Sequence, residues 1–128
     1  MSLYVSPDIA FFFHQEILNL SKLSRSLGLE VLLEIHEPGE LDRLNHYVNI
    51  IGVNNRNLRT FEVNTEISET MAEIIPSGLK RISESGISSK ESIKMLRDCG
   101  YDGFLIGEKF MGTTDPVKTF SEFVKDLI

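Results

Sequence analysis

Apolar residues in this chain fall in short runs separated by stretches with helical spacing. Leu29 to Ile35 (LEVLLEI), Val48 to Val53 (VNIIGV) and Gly103 to Ile106 (GFLI) read as β-strands, and Leu79 to Ser83 (LKRIS) reads as a weaker one. Such runs suit strands covered on both faces of a parallel sheet. Helices fit between them. Ser6-Pro7-Asp8 reads as an N-cap, a first-turn proline and an acidic first turn, opening a helix to about Leu27 that Gly28 is placed to end. Phe11, Phe12 and Phe13 cover more than one face of that helix, so at least one should meet a second surface. Pro38 opens a short helix to about Asn45, and the amphipathic stretch Thr65 to Ile75 stops at Pro76-Ser77-Gly78. Ser88 and Glu91 have the spacing of a capping box, which predicts a helix to Cys99 with Gly100 as its C-cap. Asp115-Pro116 opens a last helix, Val117 to Leu127.

Strands alternating with helices predict an α/β fold with a parallel sheet and right-handed crossovers. Two architectures satisfy this order: an open doubly wound sheet, or part of a (β/α)8 barrel. A whole barrel takes ~250 residues, and 128 residues make about half of one. The expectation is a single domain over residues 1–128, holding about four βα units. Leu3 to Val5 is a candidate remnant of a further strand.

Composition narrows the function classes. Hydrophobic residues at 41% and charged residues at 25% fit an ordinary globular chain with a real core. A net charge of −6 argues against a nucleic-acid surface, but it does not forbid a small anionic ligand held by local N–H groups. No apolar run is long enough to cross a membrane, and Met1-Ser2-Leu3 lacks the basic start of a signal peptide, so a cytoplasmic location is expected. The lone Cys99 rules out an internal disulfide and reads as a small residue near a helix end. Three His and one Cys without ligand spacing offer no metal site.

The chemistry gathers where strands end. Ile50 to Leu58 (IIGVNNRNL) is an apolar strand running straight into Asn54, Asn55, Arg56 and Asn57. The other strands end in Glu34 and His36, in Glu84, Ser85 and Gly86, and in Gly107, Glu108 and Lys109. In either architecture the carboxyl ends of the strands share one rim. Glu34, set among Leu32, Leu33 and Ile35, is a candidate desolvated acid–base group, though alternation leaves an exposed strand position equally open. Glycines at 86 and 107, each just after a strand, allow backbone N–H groups to approach a phosphate. Arg56 adds a candidate charged contact, with a surface ion pair as the other reading.

The segments EVLLEIHE, IIGVNNRNLRTFEV, ISESGIS and GYDGFLIGEKFM, in this order, resemble the C-terminal half of indole-3-glycerol phosphate synthase, a family of tryptophan biosynthesis. The resemblance runs from about Leu27 to the C-terminus. It implies a partial (β/α)8 barrel and a lyase that closes the indole ring of a carboxyphenylamino-deoxyribulose phosphate, losing carbon dioxide and water without a cofactor. It further implies Glu34 as general base, Asn54 as the amide that orients substrate, and Glu84 and Ser85 as polar groups beside it. Arg56, Ser85, Gly86, Gly107 and the residue at Glu108 match the phosphate site. The family often has serine where this chain has Glu108. Its general-acid lysine and a lysine–glutamate pair lie on the first three strands, and nothing here matches them: Lys22 falls on a helix and Lys80 at the wrong end of a strand.

Three functions follow as expectations. The first is this synthase, with the N-terminal strands absent and the chain inactive alone. The second is a non-catalytic phosphate-binding half-barrel, acting as a module or subunit. The third, another barrel enzyme such as an isomerase, fits the GVNNRNL and SESGI pair poorly. Unpaired sheet edges and a bare inner face predict a homo-oligomer through that face.

Overall fold

The structure, a computed structural model, describes residues 2–5, 14–125 and 127. Each expected apolar run becomes a strand: β2 at Glu30–Ile35, β3 at Ile50–Asn54, β4 at Lys80–Glu84 and β5 at Gly103–Leu105. Ser2–Val5 forms β1, a full strand paired in parallel with β2 from Ser2 opposite Glu30 to Val5 opposite Leu33. The result is a parallel five-stranded sheet in the order β1-β2-β3-β4-β5. Every strand lies beside its sequence neighbour. An open doubly wound sheet reverses direction at a switch point; this sheet never does, which is the winding of part of a (β/α)8 barrel.

The helices are α1 (His14–Ser26), α2 (Glu66–Ile74), α3 (Lys90–Asp98), α4 (Glu108–Met111) and α5 (Pro116–Val124). One hydrophobic cluster joins Val31, Leu33 and Ile35 of β2 and Ile51 and Val53 of β3 to Ile17, Met71, Ile93 and Leu96 from α1 to α3. These strand residues alternate with Leu32, Glu34, Gly52 and Asn54, so the core and the candidate site occupy opposite faces. Burying each such aliphatic side chain contributes about 1.5–3 kcal/mol. Register fixes the site face: Glu34 stands opposite Gly52, Gly52 opposite Ile82, and Asn54 opposite Glu84.

Local details depart from the sequence reading. The stretch after Pro38 is a 3-10 helix ending at Arg43, not a helix to Asn45, because the Asn45 carboxamide turns back to accept the Tyr47 N–H at 3.0 Å. The cap of α3 is Ser89, whose hydroxyl accepts the Ser92 N–H at 3.1 Å, so the cap expected at Ser88 moves by one residue and Glu91 closes no capping box. The segment after Gly107 turns into α4, which the pattern did not announce, and α5 stops at Val124 rather than Leu127. The expected cap at Ser6-Pro7-Asp8 and the trio Phe11 to Phe13 lie outside the described residues.

Candidate functional site

At the carboxyl end of β2, alternation turns Glu34 away from the helices and into the site face, where it is 1% exposed. Asn54, at the end of β3, donates from Nδ2 to Glu34 Oε1 at 2.8 Å. Its Oδ1 accepts the Arg56 N–H at 2.9 Å. Glu84 ends β4 beside them and is 3% exposed. Gly52 makes room for it: a Cβ at that position would collide with Glu84 Oε1 and press on Leu32 Cδ2 at 3.0 Å.

Burial pushes the Glu84 carboxyl up to about 7, the neighbouring Glu34 charge and a hydrogen bond with Glu34 push the same way, and His36 opposes them. Glu34 Oε2 is buried and takes no hydrogen bond from a described N–H or O–H. A proton on Glu84 is the donor that such a pair calls for. The arrangement can therefore hold and release one proton near neutrality.

His36 stands behind this pair. Its Nε2 is 3.2 Å from Glu34 Oε1 and its Nδ1 is 3.6 Å from Glu40 Oε2. Glu40 Oε2 accepts the His36 N–H at 2.6 Å, and Glu40 Oε1 accepts from Arg43 Nη1 at 3.0 Å. Burial works to raise the Glu40 carboxyl, but the hydrogen bonds and charge of His36, with Arg43, hold it below the usual carboxylate range. The sequence reading noted His36 at the strand end and gave it no role.

Next to the acid pair, between the ends of β3, β4 and β5, lies a cleft of about 840 Å³. Arg56, Ser85, Gly86, Gly107 and Glu108 all line it, together with Lys109. Glu34, Asn54 and Glu84 are not among its lining residues. Ser85 and Gly86 both take left-handed backbone, with φ of 67° and 73°. At Gly86 no side chain could be added even so, because Val63 Cγ1 fills the space a Cβ would need. Val63 reaches that position through the antiparallel bridge between Arg56 and Val63, which brings the two ends of the 56–63 loop together at the cleft.

The amides of the IIGVNNRNL segment part company. Asn55 does not reach the rim. It is fully buried on the helix side, donating to Ser83 Oγ and to the Ser85 carbonyl, each at 3.0 Å. Its Oδ1 accepts from Ser68 N at 3.2 Å and from Ser68 Oγ at 2.8 Å. Period-2 alternation after Asn54 was the signal that would have sent it there. Asn57 instead closes its own loop, accepting the N–H groups of Arg59 at 2.8 Å and Thr60 at 3.1 Å.

Comparison with known proteins bears on this geometry. A family model described as indole-3-glycerol phosphate synthase matches residues 9–123, a span that contains every candidate residue. The chain belongs to that family. A family member from Bacteroides thetaiotaomicron, an indole-3-glycerol phosphate synthase, is 48% identical over 106 residues, covering 83% of this chain and 41% of its own length. One from Koribacter versatilis, of the same name, is 44% identical over 110 residues, covering 85% and 42%. The chain thus spans about two fifths of the length of these relatives. Two solved structures share the fold at low identity. A crystal structure of an Amycolatopsis orientalis BexX/CysO complex aligns with a TM-score of 0.64 at 16% identity, covering 97% of this chain and 52% of that one. A native KDPGal structure aligns at 0.58 and 13%, covering 95% and 60%. Among the described residues no group of three or more His, Cys, Asp or Glu is placed to hold a metal ion, and no helix is long and apolar enough to cross a membrane.

Proposed function

We propose that this chain carries the base and the phosphate-binding side of an indole-3-glycerol phosphate synthase site. The reaction closes the indole ring of 1-(2-carboxyphenylamino)-1-deoxyribulose 5-phosphate with loss of carbon dioxide and water. Glu34 serves as general base, Asn54 orients the substrate, Glu84 and Ser85 flank it, and the phosphate lies against Arg56, Ser85, Gly86, Gly107 and Glu108. One observation carries the reading: Asn54 binds Glu34 with its Nδ2 and the Arg56 N–H with its Oδ1, so a single side chain couples the acid pair to the cleft. A general base needs this kind of fixed geometry more than it needs a large shift in pKa.

The family's general-acid lysine has no counterpart on these strands, so these strands alone are expected not to turn over substrate; a non-catalytic phosphate-binding half-barrel is the second reading. Leu105, 60% exposed on the edge strand β5, supports self-association through the inner face. A monodisperse monomer in sedimentation would overturn that part.

The experiment is fluorescence detection of indole product from the anthranilate-ribulose phosphate, with the chain alone and with the N-terminal portion of a relative added. No product alone and product after addition is the expected result, and Glu34→Gln should abolish it. Turnover by the chain alone would place a working acid among its own residues. No turnover after addition would leave the binding module as the better reading.

A further inference from the structure

Three charged side chains line the cleft: Arg56, Glu108 and Lys109. The Lys109 Nζ lies over the Phe123 ring, 4.8 Å from its centroid, so that charge is drawn toward α5. The Arg56 guanidinium is already engaged. Its Nη2 is 3.1 Å from Glu108 Oε2, and its Nη1 makes a long 3.5 Å contact with the Phe61 carbonyl. Phe61 is itself in left-handed backbone, at φ 59°, in the loop that Asn57 closes. The cleft therefore holds its principal cation in an ion pair with a carboxylate from the same chain.

We infer that Glu108 is a specificity-determining residue, which neutralises Arg56 and makes the cleft indifferent to whether a phosphate ligand carries one negative charge or two. The inference rests on the phosphate reading of the cleft given above. A ligand must displace the Glu108 carboxylate from Arg56 or bind beside it. Repulsion from Glu108 grows with ligand charge in the same proportion as attraction to Arg56. With both present, the second charge on a phosphate gains little. With Glu108 neutral, Arg56 acts alone and the doubly charged form gains most.

A phosphate monoester passes between these forms near pH ~6. A pH series therefore reads charge selectivity directly. Arg56 stays charged throughout. Within the lining, Lys109 is the other titratable neighbour; behind it stand Glu84, immediately before Ser85, and His36. Glu84 titrates in the same window. These groups are common to every variant compared at position 108, so their contribution drops out of the ratio.

The test is titration of a phosphate monoester, methyl phosphate, read by phosphorus NMR, into the wild-type chain, Glu108→Gln, Glu108→Ser and Arg56→Gln. Readings are taken at pH 5.5 and 7.5 and at one fixed ionic strength. The Glu108 side chain is 89% exposed, so neither substitution there disturbs packing. The wild type should change least between the two pH values. Both Glu108 variants should bind about threefold tighter than wild type at pH 5.5 and about tenfold tighter at pH 7.5, the scale of one exposed charge pair. A ratio to wild type that is the same at both pH values, with Arg56→Gln still losing affinity, would overturn the role of Glu108 and leave the cleft reading standing. Arg56→Gln binding like wild type, or no phosphate binding by any variant, would remove the cleft reading and this inference with it.

Discussion

Asn54 and Asn55 are neighbours in sequence and end on opposite faces of the same sheet, each at the centre of a buried polar cluster. The Asn55 cluster is neutral and closed. Ser68 and Ser83 hydroxyls meet at 2.7 Å, the Tyr101 hydroxyl donates to the Ser68 carbonyl at 2.7 Å, and all of the Asn55 polar atoms are paired. The Asn54 cluster is charged and open: Glu34 Oε2 takes no hydrogen bond from a described N–H, and burial and the Glu34 charge push Glu84 to about 7. Satisfied polar networks fasten elements together. Unsatisfied ones are retained at a cost in stability, which is reasonable only where they handle protons or ligands. The first cluster docks α2 and the segment before β5 on the sheet; the second is the one proposed above to handle protons.

If that division is right, mutations should separate stability from ligand behaviour. The largest effect is expected from Asn55→Ala. It strands Ser68, Ser83 and the Ser85 carbonyl in the core, and should cost about 3 kcal/mol by urea denaturation. A loss below about 1 kcal/mol would mean that the network is not a fastener. Gly52→Ala comes next. Its new Cβ would drive Glu84 from its place, costing about 2 kcal/mol and removing the raised titration of that carboxyl from a carbon-13 NMR pH series. An unmoved Glu84 signal would show that the glycine does not set its position.

The third prediction uses pH. Glu84 has a folded pKa of about 7 against an ordinary value of 4.5. The folded chain therefore binds its proton more tightly than the unfolded chain does. Its stabilising share is fully present below about 4.5 and is lost as pH rises to about 7. Glu84→Gln should gain stability relative to wild type across that window and level off above it. Parallel profiles for the two proteins would sink the assignment. The smallest effect should come from Tyr101→Phe, about 1 kcal/mol with phosphate binding unchanged. Altered binding would mean that the two clusters communicate.

Much of this was legible in the residues, and the gaps have physical causes. Strand positions followed from runs such as LEVLLEI, because a strand covered on both faces must be apolar at successive positions. The burial of Glu34 was legible because it interrupts such a run. The Asn55 network was not, since its partners Ser68, Ser83 and Tyr101 are remote in sequence and nothing local links them. The Glu84 shift was equally hidden: it depends on Gly52 leaving room on the neighbouring strand. The cap of α3 was missed by one residue because Ser88 and Ser89 are both good cap residue types, and it is the Ser89 hydroxyl that accepts the Ser92 N–H. Leu3 to Val5 was read as a remnant, because a short edge run carries little pattern until it finds β2.

Val63, seated where a Gly86 side chain would be, ties two loops into one mechanical part. The segment that delivers Arg56 rests on the turn that contributes Ser85 and Gly86, so neither can shift while the other stays. Amide hydrogen exchange should register them as one opening unit, residues 56–63 and 85–87 losing protection together. Substitution at either position would then be felt across the whole mouth of the cleft, and natural variation at 63 should be limited to side chains that still fit above a bare glycine.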